Sequence, residues 1–379
     1  MLTVDKKRCT GCTACKNICL RDAITFVEDE NGFKYPNINL NKCNDCGLCE
    51  KVCFCNRDKV KMEQQREIEE YYLCQHKVLE KLKNSQSGGV AFALGEAIID
   101  DGGYVFGCKY NEKCVAIHAK ATNIIELKAF CGSKYVQSDL NEVFASVRNQ
   151  LLKGEKVLFT GTSCQVSGLY NFLQVKKAPM NNLYTMDIIC HGVVSPKILR
   201  EYIQVMEKKF GSEIKSINLR DRRYAPKIVT VLKDKNNREY IDNNYLDIFY
   251  SNVALRECCG NCEFATRQKP ADITVGDTIG VSEKYKEILD ETNPSSVAIV
   301  HTNKGRKLLM NSQLEIRKIK KEEFSQPNIN RPTLISPQKE KFWRMYKKSG
   351  MEYVLKYYTG YGGIKTKIRR KILIYLRRW

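Results

Sequence analysis

The chain has 379 residues, 18 of them cysteine, and a formal charge of +20, enough length for two or three domains with a sizeable core. No stretch approaches the ~18 uninterrupted apolar residues of a membrane-spanning helix, and the opening MLTVDKKRC has no apolar leader core, so a cytoplasmic location is expected. Clustered cysteines without a leader point to metal ligation rather than to a secreted disulfide scaffold. The basic excess lacks the recognition motif or aromatic-studded face of a nucleic-acid reader, and no nucleic-acid partner is expected.

Residues 1–58 carry an internal repeat: Cys9, Cys12, Cys15 and Cys19 have the spacing of Cys43, Cys46, Cys49 and Cys53, offset by 34 residues. A cubane cluster needs four thiolates at its corners. Three closely spaced cysteines on one loop can supply three, and the fourth of each run crosses to the other cluster. The pattern therefore predicts two [4Fe–4S] clusters, one on Cys9, Cys12, Cys15 and Cys53, the other on Cys43, Cys46, Cys49 and Cys19. The small residues Gly11, Thr13, Ala14 and Gly47 leave room for sulfides and for N–H···S bonds. A proline commonly follows the fourth cysteine; Leu20 and Phe54 stand there instead. The spacer between the runs reads as a hairpin around Asn31–Gly32, and Cys55 as a free or buried thiol. A zinc module, the alternative, normally shows two C-x2-C pairs rather than two sets of four.

Residues 59–84, with VKMEQQREIEE, read as a solvated helix or linker. A second unit is expected over 85–326. SQSGGVAFALGEAIIDDGG opens a helix at a Gly-rich turn and ends it at Gly102–Gly103. Lys156–Thr160, Met186–Cys190 and Val297–His301 have strand character, and strands alternating with helices argue for an α/β sheet. Cys164 and Cys190 follow two of these strands, and Cys259 and Cys262 form a C-x2-C. Strand ends converge on one sheet edge, where these four could meet as a third cluster site; scattered buried cysteines are the plainer reading. The tail, 327–379, carries from Gln338 onward thirteen Lys/Arg against two Glu. In IKTKIRRKILIYLRRW, Ile364, Ile368, Ile372, Tyr375 and Trp379 recur at helical spacing, a pattern suited to an anionic membrane surface or to packing on the domain. The fold class expected is an α+β ferredoxin-like unit, then an α/β unit, then a basic helical tail.

From Ser85 to about Gly305 the chain resembles the beta-subunit family of coenzyme F420 hydrogenases and dehydrogenases. SQSGGVAFAL, CGSKYVQSD, VLFTGTSCQVSGL, DIICHGVVSP, CGNCEFATRQKPADITVGD and SVAIVHTNKG stand in family order. The resemblance implies that the α/β unit binds FAD and one further [4Fe–4S] cluster, passing electrons between a deazaflavin and the cluster. The family's ligands fall on Cys164, Cys190, Cys259 and Cys262, with Cys258 an extra neighbour. A flavin pyrophosphate needs backbone N–H groups and a cation. Ser87, Gly88 and Gly89, and the family's Gly132, Ser133, Lys134 and Tyr135, meet that description, although SGG alone reads as a helix cap. Gln137, Ser138, Thr160 and Gly161 are second-tier contacts.

Ser163, Thr278–Ile279 and the stretch after Leu219–Arg223 depart from the family pattern, leaving the ligands intact and the substrate open. The function expected is an FAD-dependent iron–sulfur oxidoreductase, converting between hydride transfer with a small-molecule donor and one-electron transfer to a redox partner protein. The alternatives are a non-catalytic electron-transfer subunit wiring a partner enzyme, and a reductase of a sugar or lipid-linked intermediate. His191, beside Cys190, suits a sulfide hydrogen bond or a structural role.

Overall fold

A computed structural model describes residues 4–56, 67–225, 227–288, 294–364, 368 and 372. The sequence repeat is a repeat of backbone. Cys9 N–H donates to Asp5 O, and Cys43 N–H to Asn39 O, the equivalent residue 34 positions on. Left-handed φ follows at Gly11 (70°) and Asp45 (52°), then at Thr13 (61°) and Gly47 (71°). Each second position opens a five-residue helix, Ala14–Ile18 and Leu48–Val52. Two left-handed turns in five residues wrap the loop around a centre, so that its thiols face one recess. Between the runs, β1 (Ile24–Glu28) and β2 (Lys34–Ile38) form the expected antiparallel hairpin, closed from Glu28↔Lys34 by a turn with Gly32 at φ 79°.

The larger unit adds β3 (Glu70–His76), β4 (Tyr104–Tyr110), β5 (Ala116–Ala121), β6 (Val157–Thr162), β7 (Leu183–Ile188), β8 (Ile214–Asn218), β9 (Val231–Asp234), β10 (Glu239–Ile241), β11 (Ile273–Asp277), β12 (Ser296–Val300) and β13 (Leu314–Ile319). Eight of these form one sheet in the order β13-β3-β12-β11-β7-β6-β4-β5; β10-β9-β8 form a small second one. The neighbours β4, β6, β7 and β11 run parallel, and the flanking strands pair antiparallel. Central strands covered on both faces read as continuous apolar runs, and β12 (SVAIV) is buried at every position. In β6 burial stops after Phe159: Thr160, Gly161 and Thr162 emerge at the edge where Cys164 follows.

The segment expected as a linker contributes β3, which sits inside the sheet between β13 and β12. EYYLCQH has no alternation because both faces are covered. Its tyrosine hydroxyls, which burial would leave wanting, donate to Glu69 and Glu70, the residues that made the stretch look solvated. Residues 59–66 of that expected linker lie outside the described residues, and its end forms the short helix Leu79–Lys83.

Both flanking regions pack onto the α/β unit. Ala14, Ile18, Ile24 and Val52 share one core with Phe144, Leu169 and Phe172, so the ferredoxin-like unit is packed into the α/β unit. The tail's first part folds back as a helical segment, Lys339–Tyr358, broken at Gly350 (φ 73°), burying Phe342, Trp343 and Tyr346 against the core under the helix Pro196–Phe210. Aromatic residues amid lysines disguise that buried stripe in the sequence. Of the final amphipathic segment, Ile364, Ile368 and Ile372 are described and all are exposed; Tyr375 and Trp379 lie outside the described residues. No described helix is long and apolar enough to cross a membrane.

Candidate functional site

Two recesses flank the cysteine repeat. One is lined by Cys9, Cys12, Cys15 and Cys53, with Cys55 at its rim; the other by Cys43, Cys46, Cys49 and Cys19. The fourth cysteine of each run thus lines the recess of the opposite run. Among the described residues no three His, Cys, Asp or Glu side chains converge on a single-ion position; the thiols ring their recesses, as corner-bound irons of a cubane require.

The third set assembles from three places on the C-terminal edge of the parallel strands. Cys164 is in the first turn of the helix Ser163–Val175, just after β6, and Cys190 follows β7. Cys259 and Cys262 come from the short turn Glu257–Asn261 and its end. Mutual repulsion among thiolates links all four: Cys164 feels Cys262, Cys190 and Cys259, and Cys190 feels Cys259 and Cys262.

Burial pushes the Cys12, Cys164, Cys190 and Cys262 thiols up, Cys12 and Cys190 each to about 12, and a hydrogen bond with Cys258, then burial, raises Cys259. Four buried thiolates repelling one another are unstable without a cation, and iron reverses that balance. Donors for sulfur are already in place. Backbone N–H groups of Gly11, Ala14 and Lys16 serve Cys9, Cys12 and Cys15; those of Gly192, Val193 and Phe264 serve Cys190, Cys259 and Cys262. Thr162 Oγ1 lies 3.1 Å from Cys164 Sγ. The thiol sets and their donors fit iron–sulfur clusters.

The first and third sets are neighbours. A Cβ on Gly168, one turn past Cys164 on the same helix face, would stand 2.9 Å from Cys12 Sγ. Glycine there permits the approach. Arg256 lies between the two sets, donating to Cys9 O at 2.9 Å and accepting at its own carbonyl from Cys259 N–H. Lys269, 2% exposed, donates to Phe264 O beside Cys190 and Cys262. Sequence reading missed Arg256, Gly168 and Lys269. Their only signal is adjacency to cysteine motifs: Arg256 and Gly168 meet segments more than a hundred residues away, while Lys269 bonds within its own segment. His191 Nε2–H donates to Asn252 Oδ1 (2.8 Å) and its ring packs on Phe249, both inside the α/β unit.

The residues expected around a flavin divide into two groups. Ser87–Gly89 and Gly132–Ser133 come together at the sheet edge, where Ser133 N–H donates to Gln86 Oε1 at 3.3 Å. Gly88 is fixed by packing: a Cβ would stand 2.1 Å from Cys74 O, and its N–H donates to Ser296 Oγ. Gly89 (φ 78°) starts the helix Val90–Asp100, while Gly132 (φ 83°) faces open space. Gln86 Nε2 is buried with no hydrogen-bond partner among the described residues. Arg222 reaches Ser85 O at 3.4 Å, and Arg220 pairs with Asp277 at 2.7 Å. Two guanidiniums, an orphan amide and a left-handed glycine at an open edge fit a bound anionic group such as a flavin pyrophosphate.

The other residues have protein partners. Lys134 Nζ caps the carbonyls of Ala129, Phe130 and Cys131. Tyr135 packs on Phe249 and its carbonyl accepts from the Tyr245 hydroxyl. Gln137 bridges Thr10 O and Arg256. Ser138 accepts from Gln165 and meets His118 Nδ1, whose Nε2 contacts Thr160 O at 3.0 Å; Gly161 packs on Gln165.

Residues 154–328 match the family model for the C terminus of the coenzyme F420 hydrogenase/dehydrogenase beta subunit, and residues 8–56 match that of a 4Fe-4S dicluster domain. An uncharacterised ferredoxin of Methanocaldococcus jannaschii is 29% identical over 69 residues, covering 18% of this chain and 88% of its own. A chain of the F420-reducing [NiFe] hydrogenase complex from Methanosarcina barkeri, solved with xenon, aligns over 81% of this chain and 91% of its own, at 14% identity and a TM-score of 0.46.

Proposed function

We propose, on the premise that residues 154–328 belong to the coenzyme F420 hydrogenase/dehydrogenase beta-subunit family and residues 8–56 are a 4Fe-4S dicluster domain, that this iron–sulfur electron-transfer subunit exchanges two electrons at a bound FAD and one at a time along three [4Fe–4S] sites. The observation that supports the reading most is the close approach of Cys12 to the helix Ser163–Val175 at Gly168, one turn past Cys164. We assign Cys164, Cys190, Cys259 and Cys262 to the third cluster, and Ser87, Gly132, Ser133, Gln86 and Arg222 to the flavin edge. A flavin supplies the chemistry that accepts a hydride and releases single electrons. The chain's own part would be to seat that group at the sheet edge and to keep water from the first and third thiol sites by burial. The order of sites then runs from the sheet edge, through the third and first cysteine sets, to the exposed second set.

The engagement of Lys134, Gln137, Ser138 and Thr160 with protein partners favours a second reading, a non-catalytic subunit that wires a partner enzyme without flavin. Anaerobic purification with iron, sulfide and flavin quantification separates the two. About twelve irons and one FAD support the converter. Protein with clusters but no flavin, even after incubation with FAD, removes the enzyme reading. The exposed Ile364, Ile368 and Ile372 among seven Lys/Arg support docking of the tail on an anionic bilayer. Co-sedimentation with phosphatidylserine vesicles, lost on truncation after Gly363, is expected; equal binding by the truncated chain would sink it.

A further inference from the structure

Arg256 is the largest fully buried side chain among the described residues, 0% exposed. Each nitrogen of its guanidinium has an oxygen acceptor: Nε on Cys9 O at 2.9 Å, Nη1 on Gln137 Oε1 at 2.8 Å, Nη2 on Lys34 O at 3.1 Å. Its face lies 4.2 Å from the Tyr35 ring centroid and 5.3 Å from that of Phe33. All three acceptors are neutral amide oxygens. A buried cation served only by neutral groups costs several kcal/mol unless an opposite charge stands nearby.

The opposite charge in reach is sulfur. Nη2 is 3.9 Å from Cys9 Sγ, and Arg256 precedes Cys259 by less than a turn, its carbonyl taking that residue's N–H at 3.1 Å. A four-thiolate iron–sulfur cluster carries net negative charge in both oxidation states, and more when reduced. A strut joining the hairpin to the α/β unit would need hydrogen bonds and aromatic packing; it would not need a charge.

We propose that Arg256 is the counter-charge of the four-cysteine site Cys9, Cys12, Cys15 and Cys53, and that it raises the reduction potential of the cluster bound there. The proposal rests on the iron–sulfur reading above. A fixed positive charge favours the reduced, more negative cluster, so electrons arriving from the third site are drawn into the ferredoxin-like unit. Arg256 is a positioning and tuning residue; it ligates nothing.

The test uses anaerobically purified full-length protein, with iron quantified and the clusters followed by electron paramagnetic resonance during redox titration. Three variants are compared. R256Q keeps hydrogen bonding and removes the charge, R256K keeps the charge, and Q137E gives the guanidinium the carboxylate it lacks. The expected result is wild-type iron in all three. In R256Q and Q137E one titration wave shifts to a reduction equilibrium constant about tenfold less favourable, ~59 mV for a one-electron couple, with R256K close to wild type. Unmoved waves in iron-replete R256Q or Q137E would overturn the proposal. So would R256K moving as far as R256Q, the behaviour of a strut. If R256Q fails to fold, Q137E decides by the same criterion. Wild-type protein without iron would instead remove the iron–sulfur reading itself, a failure seen before any variant is titrated.

Discussion

The two recesses of the cysteine repeat have the same ligand spacing and the same pair of left-handed turns, yet their surroundings are opposite. Around Cys9, Cys12, Cys15 and Cys53 stand Arg256, Gln137 and Gly168 of the α/β unit, and the thiols of Cys12 and Cys15 are buried deeply. Around Cys43, Cys46, Cys49 and Cys19 the chain opens to solvent: Cys46 is exposed, a Cβ on Gly47 would meet nothing, and Leu20 and Leu40 are 71% and 63% exposed. Duplication fixes what each half can ligate. The neighbours decide whether a site is an internal relay or an outlet, because charge, hydrogen bonds and solvent access set a cluster's potential and reach.

The largest expected break in this contrast comes from removing one ligand on each side. C12S and C46S should each lower the iron content by about four atoms, but their stability costs should differ widely. C12S opens a void and strands repelling thiols inside a core shared with Phe144 and Leu169, so a large drop in thermal midpoint is expected. C46S acts at the surface and should leave the midpoint of the α/β unit nearly unchanged. Equal midpoints for the two variants, measured anaerobically by circular dichroism, would mean that the ferredoxin-like unit is not part of the common core.

A smaller effect sits beneath the inner recess. His118 is buried, its pKa lowered by that burial to about 4 from an ordinary 6.5, and its Nε2–H donates to Thr160 O while Nδ1 faces Ser138. Below pH 6.5 the unfolded chain binds a proton that the folded chain refuses, so stability is whole above pH 6.5 and declines as pH falls towards about 4. The full difference is roughly 3 kcal/mol. Because acid also attacks clusters, the measurement is the pH slope of denaturant midpoints for wild type minus that for H118Q. The slope should flatten in H118Q between pH 6.5 and 5; identical slopes would show that His118 is not held neutral.

These contrasts indicate how much the sequence alone disclosed. Repeat spacing is a local property of sixty residues, so the paired loops, the way Cys19 and Cys53 line the opposite recesses and the hairpin at Gly32 were all legible. The parallel strands showed as apolar runs. What did not show depends on distant pairing. EYYLCQH looked like the end of a charged linker because its partner strands, β12 and β13, lie more than two hundred residues on. Phe342, Trp343 and Tyr346 looked like part of a basic tail because the helix that covers them, Pro196–Phe210, has no sequence relation to them. Arg256 looked like one more basic residue before a cysteine pair; its acceptors are Cys9, Lys34 and Gln137, joined only by the fold.

The finest comparison is between two glycines, one serving each recess. Gly168 has helical backbone, and its cost on substitution is steric: an alanine methyl would press 2.9 Å from Cys12 Sγ and 3.0 Å from Cys12 Cβ, where the ligand loop has little room to give. Gly47 has the reverse character, free space but φ 71°. G168A is therefore expected to lose about 1–3 kcal/mol through overpacking, and to disturb the resonance spectrum of the inner cluster or its coupling to the proposed third one. G47A should lose about 1–2 kcal/mol through left-handed strain alone, with both spectra kept, since Thr13 occupies the equivalent position at φ 61° in the other repeat. Denaturant midpoints give the energies and the spectra give the location. If G47A altered the inner cluster while G168A did not, the assignment of Gly168 to the contact between the first and third cysteine sets would be wrong.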